Sequence, residues 1–336
     1  MNISVKNPNF KLQNSLKCNI CPHQCVLRPG VKGICHVRAN IDGAIRPLSF
    51  SKICSLSSDP VEKKPLFHFL PGEKILSVGT LGCNFHCKNC QNFPISQLDA
   101  GQVGVREITP EQLLALALES GSRMVAFTYS EPLVTFEYVL ESAKILQSRD
   151  IKIVIVSAGY VMPEILEQLI PYLDGANIDL KSMSDEFYRE NCGGRLTPVL
   201  DTLRRLYNNN VHLEITNLLI PGKNDSPDET GKLVDFVGGE LGSEIPLHFS
   251  AFFPTYKMQN VLPTPVSTIV NASKIAVSQG LKYVYGGNVR FAGLEDTICP
   301  QCGNVLIRRK GFQILDNQLT DGTCPACRCR IYGVFE

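Results

Sequence analysis

The sequence predicts an α/β fold, a parallel sheet built from repeated strand-then-helix units with a small cysteine-rich module at either end. Three observations carry this. Apolar, β-branched runs alternate with amphipathic segments through the middle of the 336 residues. Several of those amphipathic segments open on recognisable capping sequences. The 14 cysteines fall in three tight groups, at 18–54, 83–90 and 299–329, with only Cys192 between Cys90 and Cys299.

Taken in order, strands are expected at 74–80, 123–128, 151–157, 175–180, 211–218, 246–251 and 282–286. The run Ile-Lys-Ile-Val-Ile-Val at 151–156 is nearly continuous in apolar character, as a strand covered on both faces should be. Thr109-Pro110-Glu111-Gln112 supplies an N-cap, a proline at the first helical position and a capping-box glutamine. Ser226-Pro227-Asp228-Glu229 repeats the device before 232–241, and 133–147 is a third amphipathic stretch. Repeated β-then-α units imply an open wound sheet or a full or partial barrel, with chemistry at the C-terminal ends of the strands. The first ~60 and last ~40 residues lack this alternation and read as flanking modules.

Composition narrows the class. Lys and Arg total 33 against 32 Asp and Glu, a formal charge of +1, so a broad electrostatic nucleic-acid surface is not expected. No window approaches eighteen consecutive apolar residues, and the opening residues lack a signal-peptide pattern. A soluble, cytoplasmic protein is expected. In such a chain, tight cysteine groups point to metals rather than disulfides.

The sharpest motif follows the first strand: Gly79-Thr-Leu-Gly82-Cys83-Asn-Phe-His86-Cys87-Lys-Asn89-Cys90. Three thiolates spaced Cys-x3-Cys-x2-Cys on one loop can hold three irons of a [4Fe–4S] cluster, leaving the fourth iron for a small molecule. A closed zinc site would want a fourth ligand, and His86, set between two of the cysteines, is awkwardly placed for it.

This motif, after the first strand of a βα series, resembles the radical S-adenosylmethionine (SAM) superfamily. The resemblance implies a partial (β/α)6 TIM-like barrel and a [4Fe–4S] cluster that chelates SAM. It also implies reductive cleavage to a 5′-deoxyadenosyl radical that abstracts a substrate hydrogen. The residue before the third cysteine is commonly aromatic in that superfamily, whereas here it is Asn89. Ser130 and Glu131, after the second strand, resemble the segment that holds the SAM amino group, although Ser130 could instead cap the following helix. Ser157 stands where a hydroxyl could reach SAM. Asp179 and Lys181, two apart on the fourth strand, share a face and resemble a motif of glycyl-radical-enzyme activases; a structural ion pair is the alternative. Glu214, Asn217 and His248 have weaker claims, with a core role expected for His248. No catalytic side chain is assigned.

The longer pattern Cys18-x2-Cys21-Pro-His23-x-Cys25, Gly33-Ile-Cys35-His36-Val-Arg38-Ala-Asn40 and Asp59-Pro-Val-Glu62-Lys63-Lys64-Pro-Leu-Phe67-His68 is similar to the radical SAM enzyme of the AmmeMemoRadiSam group. That implies Memo-like and AMMECR-like proteins, or a protein substrate, as partners, together with a low-potential electron donor of flavodoxin or ferredoxin type.

At the C-terminus, Cys299-x2-Cys302 and Cys324-x2-Cys327 have zinc-ribbon or rubredoxin-like spacing, with Cys329 as a spare; structural zinc is expected, and iron is the alternative. Cys18, Cys21, Cys25 and Cys35 make a second tetrad, open to zinc or an auxiliary iron–sulfur cluster. Cys54 and Cys192 read as small buried hydrophobes. The expected domains are 1–65 (cysteine-rich module), 66–290 (radical SAM core) and 291–336 (ribbon-like module). The rival readings are a glycyl-radical-enzyme activase and a non-enzymatic, zinc-stabilised binding protein.

Overall fold

The computed structural model describes residues 14–97 and 103–336. Among these, a nine-stranded sheet forms the centre. Seven of its strands are parallel and lie side by side in chain order. They are β1 Lys74–Thr80, β2 Met124–Thr128, β3 Lys152–Ser157, β4 Gly175–Asp179, β5 His212–Leu219, β6 Leu247–Ala251 and β7 Val284–Gly287. Each falls on one of the seven runs expected from the sequence. The helices Pro110–Glu119 (α1), Phe136–Gln147 (α2), Pro163–Leu169 (α3), Thr197–Asn208 (α4), Pro227–Phe236 (α5) and Val266–Ser278 (α6) connect them in turn. Among the described residues no ladder joins β7 back to the far edge, so the barrel is partial.

Local chemistry accounts for the elements. Gln112 N donates to Thr109 Oγ1 at 3.3 Å and Thr109 N donates to Gln112 Oε1 at 2.9 Å, closing the capping box of α1. Ser226 Oγ accepts from Glu229 N at 3.2 Å and caps α5 in the same way. Ile153, Val154 and Ile155 of β3 are all fully buried, as a parallel strand between helices and barrel interior requires.

The β1 side of the sheet carries an extension that the sequence did not suggest. Lys52–Pro60 pairs antiparallel with β1, and Arg106–Glu107 pairs antiparallel with Lys52–Pro60. Lys52–Pro60 lies inside the stretch expected to be the N-terminal module, so that module and the core share one sheet. The remainder of the module is two hairpins, Leu16–Lys17 with Val26–Leu27 and Arg38–Ile41 with Ala44–Pro47. Arg38 docks it onto α2 through both Glu137 carboxylate oxygens, at 2.8 and 2.6 Å. At the other end, Thr297–Ile298, Val305–Lys310 and Gln313–Asn317 form a three-stranded antiparallel sheet. No helix among the described residues is long and apolar enough to cross a membrane.

The pleat of β5 turns His212, Glu214 and Thr216 to one face and Leu213 and Ile215 to the other. Glu214 is fully buried. It accepts from Phe67 N (3.0 Å) and His68 N (2.8 Å) and bonds His212 Nε2 (3.0 Å) and His248 Nε2 (2.6 Å). Burial alone would push its carboxyl up; the hydrogen bonds from His212 and His248 outweigh it and hold the group well below the usual carboxylate range. His68 continues the network to Tyr332 O and Tyr285 Oη, both at 2.5 Å.

Replacing Glu214 by Ala strands four polar groups in the interior and is expected to cost about 3–5 kcal/mol, read as a lower denaturation midpoint at unchanged slope. Because the folded carboxyl is depressed, its contribution is complete above the unfolded value of about 4.3 and fades as pH falls below it. The wild-type midpoint should therefore drop on acidification more steeply than that of Glu214→Gln.

Candidate functional site

The loop after β1 presents its three cysteines to a cavity of about 940 Å³ at the C-terminal ends of the parallel strands. This is at the upper end of the roughly 300–1,000 Å³ typical of ligand sites. Gly82 starts the loop at φ +86°, where an added Cβ would lie 2.6 Å from Cys35 O, so only glycine fits. The loop backbone is then pinned: Gly82 N to Ile95 O (2.9 Å), His86 N to Cys192 O (2.7 Å) and Lys88 N to Asn191 O (3.0 Å). The His86 ring bonds Gln97 Oε1 at 2.7 Å, which turns it to a protein partner. Asn89 Oδ1 accepts from Asn191 Nδ2 at 2.9 Å, so its side chain braces the loop where an aromatic ring would pack.

Cys83, Cys87 and Cys90 all line the cavity. Burial pushes the Cys83 thiol well up, with Glu131 and Cys87 adding to the shift. A metal bound there would supply the positive charge that such buried thiolates need. The donor set fits a [4Fe–4S] cluster: three sulfurs, each able to take its own iron, beside open volume for a further ligand.

Thr128 at the end of β2, Ser130 and Glu131 just after it, Ser157 (β3), Asp179 at the end of β4 with Lys181 beyond it, Thr216 (β5), His248 (β6) and Gly286 (β7) also line the cavity. The structure thus brings together every residue expected at the SAM side. Glu131, not Ser130, caps the turn Pro132–Thr135, accepting from Leu133 N at 3.2 Å. Its carboxylate also accepts from Ser157 Oγ (2.7 Å) and Ala158 N (2.8 Å), tying the ends of β2 and β3 together. Ser130 Oγ donates to Thr80 O at 2.6 Å. Lys181 Nζ pairs with Asp179 at 2.9 Å, both partly open to the cavity. Glu214 is spent on the network above, and Asn217 Nδ2 donates to Leu180 O at 2.7 Å from a buried position. Cys192 is fully buried; Cys54 is half-buried, and its thiol, pushed up to about 11 by burial, donates to Gly79 O and Thr80 O.

Sequence reasoning missed one group here. Lys64, 2% exposed, reaches Asp59 Oδ2 at 2.7 Å, and Tyr129 Oη donates to the same oxygen at 2.5 Å. Tyr129 adopts φ +70° to do so. Lys63 pairs with Asp59 Oδ1 at 2.8 Å, and Lys63, Lys64 and Tyr129 border the cavity. The Asp59-Pro-Val-Glu-Lys63-Lys64 run was visible in the sequence, but nothing there placed it beside Tyr129.

The C-terminal cysteines form a separate centre. Cys299, Cys302, Cys324 and Cys327 have thiols mutually within 4.8 Å, and among the described residues they are the only group so close. Cys299 Sγ lies 3.5 Å from Cys327 Sγ, and Cys302 Sγ lies 3.7 Å from Cys324 Sγ. Tetrahedral Zn–S bonds of about 2.3 Å place sulfurs roughly 3.8 Å apart, so the tetrad suits zinc. Cys329 stays outside the four. The hairpin carrying this centre returns to the barrel: Gly311 and Phe312 at its tip border the cavity, and Arg309 donates to Phe67 O at 2.8 Å. Cys302→Ser should lose about one metal ion per chain by elemental analysis and lower the unfolding temperature. Unchanged metal content would rule the tetrad out.

Comparison with known proteins agrees with this geometry. Residues 77–236 match the model of the radical SAM superfamily. An uncharacterized protein of Methanocaldococcus jannaschii is 40% identical over 316 residues, covering 94% of each chain. The 4-hydroxyphenylacetate decarboxylase activating enzyme of Clostridium scatologenes is 26% identical over 171 residues, 48% of this chain and 55% of that one. A radical SAM methyltransferase from Sphaerobacter thermophilus shares the fold, with a TM-score of 0.51 at 17% identity, over 70% of this chain and 71% of that chain. The chain belongs to the radical SAM superfamily, whose enzymes use a [4Fe–4S] cluster and SAM.

Proposed function

We propose that Cys83, Cys87 and Cys90 hold the catalytic cluster and that SAM lies against the ends of β2, β3 and β4. The observation that carries this is the convergence of the three thiols with Ser130, Glu131, Ser157, Asp179 and Lys181 on one cavity. When bound, the cluster and SAM together supply a radical able to take hydrogen from a substrate. The protein's part is to bind, orient and exclude water. Glu131 fixes the rim between β2 and β3 through three hydrogen bonds, so the wall needs no rearrangement when SAM arrives. Lys181 sits close enough to Cys87 for its charge to act on that thiol, and so to offset the anionic cluster. Phe67, Val156, Leu218 and Ile220 are among the apolar residues of the wall that keep solvent from the reacting centre.

The substrate class we favour is a protein or peptide. One reading within it is activation of a glycyl-radical enzyme, supported by the Clostridium scatologenes relative and by the Asp179–Lys181 pair facing the cavity. The other is action in an AmmeMemoRadiSam setting with Memo-like and AMMECR-like partners, supported by the Cys18–Asn40 and Asp59–His68 sequence patterns. We assign the chain to the cytoplasm, where its ungrouped thiols stay reduced and a flavodoxin or ferredoxin can deliver electrons. We propose 1–65, 66–290 and 291–336 as the functional divisions, with Lys52–Pro60 of the first lending a strand to the core sheet.

Anaerobically reconstituted protein, reduced with dithionite and given SAM, should form 5′-deoxyadenosine and methionine. The Cys83→Ala, Cys87→Ala, Cys90→Ala triple variant should form none. Equal turnover in the two would overturn the assignment. Co-incubation with a glycyl-radical enzyme from the same organism should give a glycyl radical signal by electron paramagnetic resonance if activation is the reaction.

A further inference from the structure

The N-terminal cysteines converge without forming a zinc-like tetrad. The Leu16–Lys17 and Val26–Leu27 pairing continues as Cys18 N to Cys25 O at 2.9 Å, which sets Cys18 and Cys25 across from each other. Cys21 sits in the connecting loop, closed by Gln24 N to Cys21 O at 3.0 Å. Cys35 follows a second turn, His36 N to Gly33 O at 3.0 Å, and the Cys25 sulfur lies 3.5 Å from the Cβ position of Gly33. Cys18, Cys21 and Cys35 are buried, and each lies near enough to the other two to interact electrostatically.

The charge of Arg38 acts on Cys18 and Cys35, and its Nε is buried with no hydrogen-bond partner. A buried cation beside grouped cysteines favours their thiolate forms, which are the forms that bind iron. The spacing points the same way. A single zinc would draw its sulfurs to about 3.8 Å, as the C-terminal tetrad already shows, whereas no three of the N-terminal thiols lie mutually within 4.8 Å. The Cys83, Cys87 and Cys90 thiols are likewise not all mutually within 4.8 Å. Wider spacing suits a polynuclear centre, in which each sulfur binds a different iron.

We propose that Cys18, Cys21, Cys25 and Cys35 hold a second iron–sulfur cluster packed directly behind the 83–90 loop. The contact between the two is close. Cys35 O and the Val37 side chain fill the space where Gly82 would carry a Cβ, His23 Nε2 bonds Asn84 O at 2.8 Å, and Asn84 Nδ2 donates to Tyr160 O at 2.6 Å. Occupancy of the second centre therefore sets the wall against which the first is built.

Iron, acid-labile sulfide and zinc are counted after anaerobic reconstitution, with visible absorption and electron paramagnetic resonance on the same samples. The wild type is expected to hold roughly eight irons and eight sulfides beside zinc at the ribbon. The Cys83→Ala, Cys87→Ala, Cys90→Ala variant is expected to keep about four of each and an iron–sulfur spectrum. Adding Cys18→Ser and Cys21→Ser should abolish what is left. The triple variant leaves the N-terminal module intact, so its iron content reports on that site whether or not the further variant folds, and whether or not SAM is turned over. A triple variant without iron and sulfide, or with a second zinc in their place, overturns the proposal.

Discussion

A carboxylate buried in a barrel must be met by donors on every side, and Glu214 imposes that demand on the whole molecule. Its oxygens recruit the backbone of Phe67 and His68 from before β1, His212 from its own strand and His248 from the next. Through His68 the demand passes to Tyr285 on β7 and to Tyr332 near the C-terminus. Segments far apart in the chain are held in register by one desolvated charge that would be costly to strand. The cavity above it inherits this rigidity: Phe67, His248 and Tyr285 belong to both the network and the cavity wall.

The parallel core was legible because apolar runs, several of them β-branched, alternate with amphipathic helices, two of which open on their own capping sequences. Thr109 and Ser226 cap as their sequences indicate. Lys52–Pro60 was not legible. Its Ser-Leu-Ser-Ser-Asp-Pro stretch is mostly polar, because the strand lies toward the sheet's edge with one partner of only two residues, so no buried-strand pattern arises.

The site was legible in its residues but less so in their bonding. The spacing of Cys83, Cys87 and Cys90 announced a cluster loop, and strand-end position placed Glu131, Ser157 and Asp179 nearby. Which oxygen meets which hydrogen depends on distances between strands, so the cap that Ser130 offered in the sequence is made by Glu131 instead. The Lys64–Asp59–Tyr129 group was invisible for the same reason: Tyr129 lies 65 and 70 residues from Lys64 and Asp59, and their contact needs it in a left-handed backbone conformation. Metal spacing was read more directly, since a Cys-x2-Cys pair positions its own sulfurs with little help from the rest of the chain.

The sequential strand order also shapes how the molecule folds. Each parallel neighbour is one βα unit away, so strand pairing can propagate along the chain with modest loop-closure entropy at every step. The seal at the base is different. Leu70 N to Val334 O (2.7 Å), Val334 N to His68 O (2.8 Å) and His68 to Tyr332 join residues more than 260 positions apart. Those contacts carry the largest entropic penalty in the structure and are set to close last. Until they do, Phe67 and the floor of the cavity lack their final support, so a nearly complete barrel would still have an unfinished reaction chamber.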